Sequence, residues 1–262
     1  MEALKVQELS KNFDGVLAVN KISFSVQRGE RVAVIGPNGA GKTTLFNLLN
    51  GQERLTHGSL FFFGKDISGM SVHQRALLGL ARSFQITSLF STLTVLTNVL
   101  LAIHGTRPSR YHPFCGITSY KEHLRKARVL LNEMGLWEKR NNLVHSLGYG
   151  EQRKLEIALS LASEPKLILL DEPNCGLTPA ESASMTNMIR RLEKDITIML
   201  VAHDMDFVFD LADRIIVLHY GQLIADGTPE EIQTNPWVKE SYMGVGENSE
   251  YAKSDRSSCQ LS

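Results

Sequence analysis

The chain has 262 residues, 28 Lys and Arg balanced by 28 Asp and Glu, and an apolar fraction of 43%. That length suits one large domain or two small ones with a sizeable core, and zero net charge excludes a general attraction to nucleic acid or acidic membrane surfaces. Cys115, Cys175 and Cys259 lie far apart with no CxxC pair, which speaks against a disulfide framework or zinc site and fits a reducing compartment. No apolar run approaches the ~20 residues of a membrane span, and the first residues lack a signal-peptide core.

In chain order, LKVQELSKNF and KISFSVQRGERVAVIG read as strands broken at Gly15 and Gly29. RVAVIG is a buried strand running into a glycine loop. KTTLFNLLNG follows with Leu45, Leu48 and Leu49 at helical spacing and stops at Gly51. GSLFFFGKDI has the pattern of a hairpin segment. From about residue 89 to 163 the pattern is helical, in LTVLTNVLLAIHG, YKEHLRKARVLLNEMGL and EQRKLEIALSLASE, with TRPSRYHPFCGITS as an exposed loop between the first two. KLILLD and TIMLVAH are strands on either side of the helical AESASMTNMIRRLEK, a βαβ unit that requires a parallel sheet. RIIVLHYGQLIADG reads as a hairpin. TPEEIQ starts a helix, with Thr228 as N-cap, Pro229 first and Glu231 closing a capping box. The Ser-rich residues 246–262 form a polar tail.

Three stretches carry chemistry. The segment Gly36, Pro37, Asn38, Gly39, Ala40, Gly41, Lys42, Thr43, Thr44 matches GxxxxGK[ST]. Its glycines let backbone N–H groups wrap phosphate oxygens, Lys42 places a charge on the β- and γ-phosphates of a nucleoside triphosphate, and the Thr43 hydroxyl suits Mg2+. The helix start that follows adds its partial positive charge. In KLILLDEP, a strand buried on both faces ends in adjacent carboxylates. Side chains alternate along a strand, so Asp171 and Glu172 cannot share a face. Asp171 is expected on the Mg2+ side, and Glu172 where a water attacks the γ-phosphate. Third, LGYGEQRKLEIALSLA places Gly148 and Gly150 before a helix whose buried face is Leu155, Ala158, Leu159 and Ala162. Its N-terminus is a second potential anion site.

Together these motifs resemble the ATP-binding cassette (ABC) ATPase family over about residues 3–244. The resemblance implies an α/β fold: a P-loop NTPase ABC cassette with a RecA-like core, an antiparallel β subdomain and a helical subdomain. It divides the chain into an ATPase domain at 1–245, with core at about 1–88 and 164–245 and helical subdomain at about 89–163, before the tail. It implies that Leu147 to Glu151, with Gly148, Tyr149, Gly150 and Glu151, caps ATP held by a partner cassette. Phe13 takes the place of the adenine-stacking aromatic, Gln85 that of the Mg2+-sensing glutamine, and His203 that of the γ-phosphate histidine. More narrowly, the stretches GLARSFQ, HDMDFVFDLADRIIVL and DGTPEEIQTNPWVKESYMG are similar to ATPase subunits of high-affinity branched-chain amino acid importers, with urea and short-amide importers close behind. The implied partners are a second ABC ATPase subunit, two transmembrane permease subunits and, indirectly, a solute-binding protein, with no nucleic acid. The implied place is the cytoplasmic face of the inner membrane. A soluble, non-transport ABC ATPase is the rival from another class, but such proteins carry a long coiled-coil insertion or two cassettes, and neither is present.

Two positions depart from the family pattern. Gly148 stands where a serine hydroxyl contacts the γ-phosphate, and Thr178 stands where an Asp or Asn communicates across the dimer. Both concern what this subunit gives its partner. The expectation is therefore a heterodimer with unequal composite sites, a homodimer being the alternative. Cys175 is expected to be a small packing residue.

Overall fold

The computed structural model describes residues 1–83, 89–105 and 121–238. Strands β1 (Glu2–Phe13) and β2 (Val16–Gln27) pair antiparallel about the turn at Gly15. β4 (His57–Phe62) and β5 (Lys65–Asp66) extend them into a four-stranded antiparallel sheet of order β2-β1-β4-β5. β3 (Arg31–Ile35) leaves for a second sheet, which also holds β6 (Leu80–Arg82), β7 (Leu167–Asp171), β8 (Thr197–Val201), β9 (Arg214–His219) and β10 (Gln222–Gly227). Its order is β6-β7-β8-β3-β9-β10, parallel except for the β9–β10 hairpin.

The period-2 alternation of these apolar strands sorts the core into two halves. Val32, Val34, Leu167, Leu169, Met199 and Val201 face the antiparallel sheet and helix α1 (Lys42–Asn50). Ala33, Ile35, Ile168, Leu170, Ile198 and Leu200 face the other way. On that side pack α3 (Val95–Gly105), α4 (Lys121–Glu133), α5 (Tyr149–Leu161), α6 (Pro179–Arg191), α7 (Met205–Leu211) and α8 (Pro229–Thr234). The parallel sheet is thus the middle of three layers. The C-terminal ends of β3, β6, β7 and β8 open on one edge of it, where ligands of such sheets bind.

Between β5 and β6 lies α2 (Val72–Leu78), capped by Ser71 and Gln74. Its Arg75 is buried and closes the C-terminus of α1. Nη1 donates to the carbonyls of Leu48 and Leu49 at 2.5 and 2.7 Å, Nε to Met70 at 3.0 Å and Nη2 to Ser68 at 3.2 Å. A cation at a helix C-terminus meets the negative end of the dipole and satisfies orphan carbonyls. Burial pushes the guanidinium down to about 10, so it stays charged at neutral pH.

The expected elements are present, the Thr228–Glu231 capping box included. α2, β6 and α7 are additions the sequence pattern did not predict. α5 starts earlier than predicted: Gly148 is its N-cap, and Tyr149 and Gly150 lie in its first turn. Its buried side includes Ile157 and Leu161, whereas Leu159 is half-buried. Cys175 is half-buried just past the end of β7. The expected loop after α3 and the polar tail lie outside the described residues.

Candidate active site

The phosphate loop joins β3 to α1. Gly41 is the N-cap of α1 with φ +99°, a left-handed conformation, and a Cβ there would stand 2.4 Å from the Ala18 carbonyl oxygen. A Cβ on Gly36 would stand 2.2 Å from the Leu218 carbonyl. Both positions therefore require glycine. The loop is walled by β2 on one side and by the β9–β10 turn on the other, where Gly221 N–H donates to the Ala40 carbonyl at 3.0 Å and Asn20 N–H to the Gly221 carbonyl at 2.7 Å. Lys42 is buried, and its ammonium folds back on the carbonyls of Gly36 at 2.6 Å and Pro37 at 3.0 Å. Asn38, Gly39 and Thr43 are exposed, and Pro37 and Thr44 half-exposed. The rim of the loop is open to a ligand while its base is fixed.

Asp171 is the last residue of β7 and is buried. Its Oδ2 accepts from Arg82 Nη2 at 2.7 Å, and its backbone N–H donates to Ser83 Oγ at 3.3 Å. Its Oδ1 is buried and has no hydrogen-bond partner among the described residues. A buried anionic acceptor of this kind is normally satisfied by a donor or a cation. No cluster of three or more His, Cys, Asp or Glu could hold a metal among the described residues. A single unpartnered carboxylate oxygen is the kind of donor that a hard cation such as Mg2+ takes, completing its shell with phosphate and water.

Glu172 follows with φ +47°, in the left-handed region that a non-glycine residue adopts at a cost. This turn takes its side chain off the alternation of the strand. Its Oε1 lies 3.0 Å from His203 Nε2, and its N–H donates to the Val201 carbonyl at 2.9 Å. The His203 hydrogen bond holds the Glu172 carboxyl below the usual glutamate range against the opposing effect of burial, and the charges of His203, Lys42 and Arg153 add to the lowering. The adjacent carboxylates thus have different environments: Asp171 is locked to a guanidinium, while Glu172 faces a histidine at the open edge.

Gly148 N–H donates to Glu151 Oε2 at 3.3 Å, and Lys139 bonds Oε1 at 2.6 Å. Tyr149 is 45% exposed and accepts two hydrogen bonds from Arg153. Gly176 packs against its ring. Phe13 ends β1, 41% exposed, with Lys11 Nζ 4.5 Å from its ring centroid. Thr178 is the N-cap of α6 in a full capping box with Glu181, so its hydroxyl is turned to its own helix. Gln85 lies outside the described residues. Sequence reading missed Arg82 and Arg153. A lone charge inside the apolar run GLAR was the available signal for the first.

The comparisons with known proteins place the chain in a family. Residues 19–174 match the ABC transporter family, and residues 222–248 match the branched-chain amino acid ATP-binding cassette transporter family. The chain belongs to the ABC transporter family and is an ABC-type ATPase. It is 38% identical to the high-affinity branched-chain amino acid transport ATP-binding protein BraF of Pseudomonas aeruginosa, over 92% of this chain and 97% of the relative. It is also 38% identical to LivG of Escherichia coli, of the same description, with the same shares covered. A lipopolysaccharide export ATP-binding protein, LptB of Acidithiobacillus ferridurans, is 35% identical over 93% of this chain and 97% of its own length. The crystal structure of the ADP conformation of an ATP-binding cassette of an ABC transporter superposes with TM-score 0.84 at 30% identity, covering 93% of this chain and 99% of that one. These cassettes share the fold described above. No helix among the described residues is long and apolar enough to cross a membrane.

Proposed function

We propose that the chain is the energy-coupling ATPase subunit of an importer for branched-chain amino acids, working at the cytoplasmic face of the membrane through permease subunits. The observation that carries the chemistry is the Glu172–His203 pair, a carboxylate held in a strained backbone conformation at the open edge of the sheet. The match of residues 222–248 supports the solute class over urea or short amides.

In this reading Gly36, Pro37, Asn38, Gly39, Ala40, Gly41, Lys42, Thr43 and Thr44 bind the triphosphate, and Phe13 stacks on the adenine. Thr43 and Asp171, with Gln85, would hold Mg2+, which would supply charge neutralisation at the phosphates. Glu172 orients the attacking water. His203 holds Glu172 in place and keeps it ionised, ready to accept that water's hydrogen bond. Gly148, Tyr149, Gly150 and Glu151 face the nucleotide of a second cassette. ATP favours the closed pair, and hydrolysis removes that preference. Residues 89–163 form the helical subdomain, which with the segment around Gln85 receives the permeases. A solute-binding protein acts upstream, and the second cassette is a different subunit.

The test is uptake of labelled leucine, isoleucine and valine, with urea alongside, in cells whose only copy is wild type or Lys42→Ala. Loss of amino acid uptake in the mutant is expected. Loss of urea uptake alone would keep the mechanism and change the solute. Unaffected uptake of every solute, with purified protein still hydrolysing ATP, would overturn the importer reading.

A further inference from the structure

Arg82 closes β6, immediately beside β7, and is 8% exposed. Its guanidinium is used as a fork. Nη1 donates to Asn47 Oδ1 at 2.6 Å and to Gln52 Oε1 at 2.7 Å, while Nη2 donates to Asp171 Oδ2 at 2.7 Å. Asn47 belongs to α1, the helix that begins at the phosphate loop, and Gln52 lies just past its end. One planar group therefore ties the phosphate-binding helix to the carboxylate at the end of β7. It occupies one carboxylate oxygen and leaves the other, the buried Oδ1, without a hydrogen bond among the described residues. With χ2 of Asp171 set by this bond and by the packing of a fully buried strand end, the free oxygen has one fixed direction.

We propose that Arg82 is the positioning residue for Asp171: it selects Oδ1 as the divalent-cation acceptor and fixes its place relative to the phosphate-binding helix. This rests on the reading of Asp171 as the Mg2+ carboxylate. A lysine cannot reproduce the role. Its ammonium keeps the positive charge but is a point donor on a flexible stem, and it lacks a planar fork that reaches α1 and Asp171 together. Arg82→Lys therefore separates geometry from charge. A neutral variant would not, because losing a cation near the site itself favours a divalent ion.

The full chain is compared as wild type, Arg82→Lys and Gln52→Ala, with folding followed by circular dichroism. Two affinities are read: that of a fluorescent ATP analogue in EDTA, and that of Mn2+, by electron paramagnetic resonance, at saturating non-hydrolysable ATP. In Arg82→Lys the analogue affinity in EDTA is expected to stay within about twofold while Mn2+ affinity falls about 10-fold or more. Gln52→Ala, which removes one anchor of the fork, is expected to fall about threefold for Mn2+ alone. Equal losses of both affinities, as a purely structural residue would give, overturn the proposal. So does unchanged Mn2+ affinity in both variants. A wild-type protein that does not bind the analogue at all would overturn the nucleotide reading itself, a result separate from any difference between variants.

Discussion

At the level of single residues, the adjacent acids Asp171 and Glu172 are separated by a backbone twist. The strand places Asp171 in the interior, and the left-handed φ of Glu172 sends the next side chain to His203. The hydrogen bond favours the charged carboxylate, so Glu172 loses its proton at lower pH than an ordinary glutamate. A carboxyl whose folded value is depressed adds stability above the usual glutamate range, and that contribution is lost as pH falls through the lowered value. Carbon-13 NMR of labelled Glu172 should therefore show a titration below the usual range in wild type and a rise towards it in His203→Ala. An unchanged midpoint in the variant would mean that His203 is not what holds the carboxylate.

At the level of elements, what was legible depended on length and on special residues. The phosphate loop could be read because its glycines are required by the Ala18 and Leu218 carbonyls that crowd them. β7 could be read because it is buried on both faces and carries an unbroken apolar run. β6, three residues long, and α2, seven residues long, give too few turns or alternations for a period to register. Arg75 left no local signal and Arg82 only a lone charge in a short apolar run, because their partners are up to 89 residues away. The Thr228–Glu231 capping box was legible, whereas that of Thr178 and Glu181 was not read. Thr178 stands where the family commonly has an Asp or Asn that communicates across the dimer, and its hydroxyl caps α6. Thr178→Ala should accordingly destabilise the isolated chain by about 1 kcal/mol, seen in urea denaturation. A variant as stable as wild type would return the residue to the interface reading.

At the level of the whole molecule, the departure at Gly148 bears on how two cassettes would share their sites. A side chain is sterically admissible there. The φ of Gly148 is −64°, and an added Cβ would meet only Glu151 Oε2, at 3.9 Å. Its glycine is thus not demanded by its own fold, unlike those at 36 and 41. Gly148→Ser should fold, gain a few tenths of a kcal/mol from the better N-cap, and raise ATPase activity of the assembled complex several-fold by restoring a charge-assisted hydrogen bond worth about 1.5–3 kcal/mol. Activity unchanged or lower, in a variant of equal or greater stability, would remove the idea of a weakened composite site.

The walls of the phosphate loop also set a schedule for the growing polypeptide. β3 lies between β8 and β9, and the loop it feeds is closed by Leu218 and Gly221. A ribosome that has made residues 36–44 must continue to residue 221 before the pieces that hold them exist, roughly 10–40 s later at ordinary elongation rates. Until residue 201 has been made, the apolar central strand has neither neighbour, and the second neighbour is complete only at residue 219. The nascent protein must therefore pass most of its synthesis with its middle layer unassembled, which makes this the interval in which chaperones have most to protect.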